Sequence, residues 1–89
     1  MIKATTEHGT YYLIDDQRGL AKRVKAEGRN AMENDDEWFS FIYYCPIERT
    51  GWKHGPDGEI AVGKAIFFSV PRPFGGWRIS TGVVSVEEV

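Results

Sequence analysis

The sequence predicts an all-β fold, a small antiparallel barrel or roll of five to six strands with little helix, and three observations carry that expectation. Short runs rich in β-branched and aromatic residues recur along the chain. Glycine, proline and aspartate punctuate them at close intervals. The one window that competes as a helix, around residues 20–28, contains Gly28 and matches a 3.6-residue apolar period poorly.

Ile2 to Thr6 and Thr10 to Ile14 flank His8-Gly9, a two-residue turn in which glycine accepts a positive φ, so a first hairpin is expected. Asp15 to Gly19 is polar and ends in glycine, which suits a longer hairpin loop leading to a third strand, Leu20 to Ala26. There Leu20, Val24 and Ala26 share one face and Arg23 and Lys25 the other. Glu27 to Glu37 reads as a loop or a single helical turn. Trp38 to Cys45 is the strongest strand, apolar on both faces and therefore central or covered, with Pro46 as its stop. A glycine-rich loop, Thr50 to Gly58, follows. Glu59 to Val70 returns to strand with an interruption at Gly63-Lys64, and Trp77 to Val86 forms the last strand, with a corner at Gly82 where its phase shifts. Leu13, Val24, Ile42, Ile66, Phe68 and Ile79 are the expected contributors to one core.

With 89 residues the chain is one domain, 1–89, and ordering it costs on the order of 1.5 kcal/mol per residue. Twelve aromatic side chains supply the means to offset that cost, which argues against disorder. Eleven bases against thirteen acids leave a net charge of −2, with no global field to hold nucleic acid or an anionic membrane. The charge is nonetheless unevenly placed. Residues 18–29 hold five bases and one acid and residues 33–37 four acids, a local dipole that screens itself or that offers Arg18, Lys22, Arg23, Lys25 and Arg29 to an acidic partner. No apolar run approaches the roughly 20 residues needed to span a bilayer. A single cysteine, Cys45, and the absence of a basic, apolar leader point to a reducing, cytoplasmic setting, with Cys45 as a core residue.

The chemistry-bearing residues form no catalytic or metal-binding pattern. His8 and His54 each adjoin a glycine and share no ligand spacing with Cys45 or a carboxylate, so no metal or other cofactor is expected. Asp15-Asp16 and Asp35-Asp36 lie in polar loops where solvation is the simple expectation. His54 with Asp57 would make a hydrolase only if both converged on a pocket. Gly51, Gly55 and Gly58 lack the lysine and hydroxyl ending of a nucleotide loop. What stands out instead is aromatic and basic residues together in two acid-free loop stretches, Trp52-Lys53-His54 and Arg72 to Arg78. Rings there either plug the ends of the fold or anchor a partner, while the bases contact phosphate or carboxylate. Trp52, Lys53, Arg72, Phe74 and Arg78 are the candidate binding residues.

Thr5-Thr6-Glu7-His8-Gly9-Thr10-Tyr11-Tyr12-Leu13-Ile14-Asp15, followed by Ala21-Lys22-Arg23, Asp36-Glu37-Trp38-Phe39, Val62-Gly63-Lys64 and the closing Arg78 to Glu88, resembles small accessory proteins of actinobacterial tailed phages. The resemblance implies a phage protein that acts in the bacterial cytoplasm by binding a host protein, and it carries over no catalytic residue. The residues by themselves predict a non-enzymatic interaction module, monomeric or homodimeric. The alternative is a small-barrel single-stranded nucleic-acid binder working through Lys53, Arg72 and Arg78.

Overall fold

The computed structural model describes residues 1–26, 35–71 and 76–89. Nine antiparallel strands and no helix are present among them. β1 (Ile2–Thr6), β2 (Tyr11–Asp15), β3 (Leu20–Val24), β4 (Trp38–Ser40) and β9 (Val83–Glu88) form one sheet in the order β4-β3-β2-β1-β9. β5 (Tyr43–Glu48), β6 (Lys53–His54), β7 (Ala65–Ser69) and β8 (Trp77–Ile79) form a second, ordered β6-β5-β7-β8. The hydrogen-bonded ladders are two open sheets and no closed barrel forms among the described residues.

The first hairpin forms where the sequence places it. Gly9 has φ +85°, and Thr6 and Thr10 close the turn through Thr6 N–H to Thr10 O at 2.8 Å. Two long predicted strands are each divided. Trp38 to Cys45 becomes β4 and β5, separated at Phe41-Ile42 and assigned to different sheets, and Trp77 to Val86 becomes β8 and β9 across a corner at residues 80–82. These two divisions and the two-residue β6 account for nine strands where five to six were expected. A strand apolar on both faces is thus explained by a change of sheet, its first half being the edge strand β4 and its second half the interior strand β5. The corner expected at Gly82 is present. Glu59 to Lys64 lies outside any strand, so the predicted strand there is only its last part, β7.

Pro46 does not end a strand; it sits within β5 opposite Ile66. Its carbonyl accepts from Gly55 N–H at 2.8 Å on the β6 side. Because a β residue directs its N–H and C=O to the same side, the missing donor faces the two-residue β6 and the ladder to β7 is intact.

The core lies between the sheets and contains Ala4, Tyr12, Ile14, Ala21, Tyr44, Ile66, Phe68, Val70 and Val83. Phe68 is its centre, in ring contact with Tyr12, Phe39, Phe41 and Tyr44 at centroid distances of 5.3–6.1 Å. Of the expected core residues, Ile66 and Phe68 are fully buried. Leu13 and Val24 are half-buried on the opposite face, because β2 directs Tyr12 and Ile14 inward and β3 directs Ala21 and Arg23 inward. Ile79 is half-buried, and Ile42 is 66% exposed in the gap between β4 and β5.

Arg23 occupies that inner face without leaving a bare charge. Its Nη1 reaches both carboxylate oxygens of Asp35 at 2.6 Å, and the Asp35 side chain is only 6% exposed. One base and one acid of the sequence's charge dipole are therefore an ion pair folded into the domain. Arg29 lies outside the described residues.

Candidate functional site

The outer face of the four-stranded sheet is where exposed aromatic residues gather. Cross-strand partners share a face, so the register Cys45 with Phe67, Tyr43 with Ser69, Ser69 with Trp77 and Ile47 with His54 puts Tyr43, Cys45, Ile47, His54, Phe67 and Trp77 on that side. Cys45, Ile47 and the neighbouring Ala65 are buried yet belong to no part of the core between the sheets. They form a second apolar floor. Over it, Phe67 stacks with Trp77 at 6.4 Å, meets the His54 ring edge-on at 4.8 Å and lies 6.2 Å from Tyr43. Trp77 remains 60% exposed, and Tyr43 and His54 are also exposed.

The candidate residues from the sequence distribute unequally around this face. Trp52 and Lys53 are exposed at the β5–β6 turn, next to His54. Trp52 has φ +52°, a left-handed backbone in which a bulky residue is an outlier. Arg78 is half-buried and turned the other way: it pairs with core residue Phe68, and its guanidinium lies 4.3 Å from the Phe39 ring centroid. Arg78 therefore serves the interior rather than joining Lys53 in a basic patch. Arg72 and Phe74 lie outside the described residues. Tyr43, Phe67 and Trp77 have no joint signal in sequence, since three strands supply one ring each. Only the strand register unites them.

The same hairpin creates a contact that sequence distance concealed. Cys45 Sγ lies 3.5 Å from His54 Nδ1, because β6 folds back along β5. Burial pushes the thiol above its ordinary value, and the Asp57 carboxylate adds in the same direction, whereas a reactive cysteine requires a stabilised thiolate. No group of three His, Cys, Asp or Glu side chains suited to a metal occurs among the described residues.

A cleft of about 550 Å³ opens at the Ile47 and Ala65 end of the face. Its charged groups are already engaged: Lys64 Nζ with Glu48 Oε1 at 3.2 Å, Arg49 Nη2 with Ser80 O at 2.7 Å, and Glu7 Oε1 accepting from Gly82 N–H at 3.1 Å. The charged groups lining this cleft are thus paired with one another or with backbone.

On the five-stranded sheet, the outer face is mixed. Lys3 Nζ lies 4.5 Å from the Tyr11 ring centroid and Lys22 Nζ 4.9 Å from that of Trp38. Each lysine thus packs over a ring, although Trp38 remains exposed. Among the described residues no helix is long and apolar enough to cross a membrane. Comparisons with protein-family models, with characterised proteins and with solved structures return no match for this chain.

Proposed function

We propose that this chain is a non-enzymatic interaction module that binds a protein partner through the outer face of its four-stranded sheet. The observation that carries the reading is the Tyr43, Phe67, Trp77 and His54 cluster, with its buried floor of Cys45, Ile47 and Ala65. Interface energy concentrates in aromatic side chains packed on an apolar base and rimmed by polar groups. Trp52 supports the reading from the rim, since an exposed tryptophan held in the left-handed region contributes little to packing and costs backbone strain. On the sequence resemblance, the partner is a host cytoplasmic protein and the chain a phage accessory protein. We read the framework as a roll, in which the two divided strands carry the chain from one sheet to the other.

Single-stranded nucleic acid is the second reading, favoured by Lys53 and His54 beside exposed rings on β6. Salt separates the two. Capture from an actinobacterial lysate at rising salt should retain a protein if the first reading holds, whereas nucleic-acid binding should weaken steeply. Trp77→Ala should reduce partner capture about thirtyfold or more, the equivalent of about 2 kcal/mol, without unfolding the domain. Normal capture by Trp77→Ala and Tyr43→Ala variants, or loss of capture by moderate salt alone, would defeat the proposal.

A further inference from the structure

A second cleft, of about 240 Å³, opens between the sheets beside the first hairpin. Arg23 reaches it from the five-stranded sheet and Arg49 from the end of β5 in the four-stranded one, with His8, Thr10, Tyr12 and Thr81 also on its walls. No aspartate or glutamate lines it, whereas the larger cleft carries Glu7 and Glu48. Both arginines keep donors for a further acceptor. Arg23 gives Nη1 to Asp35, and Arg49 gives Nη2 to the Ser80 carbonyl, a neutral acceptor that leaves the Arg49 charge unopposed. These contacts also fix the two forks in place, which lowers the ordering cost of binding.

Two further observations point to an anion. Thr10 is only 5% exposed, and its Oγ1 accepts from Ala26 N–H at 3.3 Å, so its own O–H has no acceptor among the described residues. Arg78 is half-buried, and among the described residues its guanidinium lies over the Phe39 ring with no ion pair and no hydrogen bond. Burial raises the pKa of Tyr12, and the Arg23 and Arg78 charges oppose that rise, so both stand near the hydroxyl on the cleft wall. Among the described residues, the one carboxylate paired with Arg23, Arg49 or Arg78 is that of Asp35. Partly buried charge in such excess is stabilised by a counter-ion.

We propose that this cleft binds a phosphate group, as the free ion or as the phosphate of a monoester. Sites for drug-sized ligands run to about 300–1,000 Å³, so 240 Å³ suits a small anion or the head of a larger molecule. Donors arriving from two sheets match a tetrahedral group whose oxygens point several ways, whereas a carboxylate offers one planar edge to one fork. The cleft shares no residue with the Tyr43, Phe67, Trp77 and His54 face, so this proposal and the partner-binding one stand or fall separately.

Titration of the full chain with inorganic phosphate, followed by amide and arginine Nε–H resonances, tests it, with methyl phosphate, acetate and chloride compared at matched ionic strength. The expected result is saturable movement of the Thr10, Ser80 and Thr81 amides and the Arg23 and Arg49 Nε–H signals with both phosphates and with neither control anion. Methyl phosphate bound as tightly or more tightly assigns the site to a monoester, and a preference for inorganic phosphate assigns it to the free ion. Arg49→Gln should raise the dissociation constant about tenfold or more, and Arg49→Lys should restore only part of the affinity. Thr81→Glu, at an exposed position, puts a carboxylate on the wall and should abolish binding while the β1 and β2 amides keep their exchange protection. Shifts that do not saturate, equal shifts with acetate, or binding unchanged in both Arg49→Gln and Thr81→Glu would overturn the proposal.

Discussion

At the scale of single residues, the inner faces of the sheets hold two polar features that a purely apolar core would lack. Arg23 and Asp35 form a pair whose carboxylate is nearly closed to water. Such pairs contribute little over an apolar replacement, but losing one partner strands the other. Arg23→Met should therefore cost about 3 kcal/mol or more in denaturant unfolding, and a joint Arg23→Met, Asp35→Leu change should recover most of it. Tyr44 is the second case. Its hydroxyl is buried without a hydrogen-bond partner, and burial raises its pKa, with the Asp16 carboxylate adding to the effect. Tyr44→Phe removes an unpaired polar atom and should raise stability by about 1 kcal/mol. Burial also raises the Tyr12 hydroxyl and the Cys45 thiol. All three acids therefore ionise at lower pH in the unfolded chain than in the native one, so the unfolded state binds fewer protons as the pH rises. Stability is full below the ordinary values of about 8.5 for cysteine and 10 for tyrosine and falls above them. The melting temperature should decline from about pH 9 upward, less steeply for Tyr44→Phe. Native Cys45 should react with iodoacetamide orders of magnitude more slowly than the unfolded thiol.

At the scale of elements, the β5–β6 hairpin depends on a close approach. A Cβ at Gly55 would lie 2.6 Å from Pro46 Cγ, and the proline ring is fixed within β5. Gly55→Ala should cost about 1–3 kcal/mol and loosen the register that brings His54 to Phe67 and Cys45. Thermal unfolding measures the first effect, and the His54 and Phe67 proton resonances report the second. The first hairpin was legible because Gly9 requires a turn and both flanks alternate. Leu13 and Val24 lie on the side opposite to the one an aliphatic interior would suggest, because their strands place tyrosine and arginine inward. Trp38 to Cys45 read as one strand because nothing in its composition marks Phe41-Ile42 as a change of sheet. Trp52 and Lys53 were recognisable as exposed from their glycine-rich setting. The ring cluster was not, since it arises from pairings among distant strands.

At the scale of the whole molecule, the two apolar regions should respond differently to truncation. Phe68 touches four rings between the sheets, so Phe68→Ala should cost about 3–5 kcal/mol. Trp77 lies on the outer floor and is mostly exposed, so Trp77→Ala should shift the melting temperature by no more than a few degrees.

The pairing of β1 with β9 has a consequence for the order in which the molecule assembles. Ile2 meets Glu88, so this ladder closes a loop of nearly the whole chain and costs about 4 kcal/mol of closure entropy before its contacts form. The hairpins β1–β2 and β2–β3 close over a few residues and can form without it. During synthesis β1 is therefore an exposed edge from the time its hairpin forms until β9 leaves the ribosome. A nascent chain arrested after β8 should hold β1, β2 and β3 paired while its β1 edge is open to whatever strand arrives first.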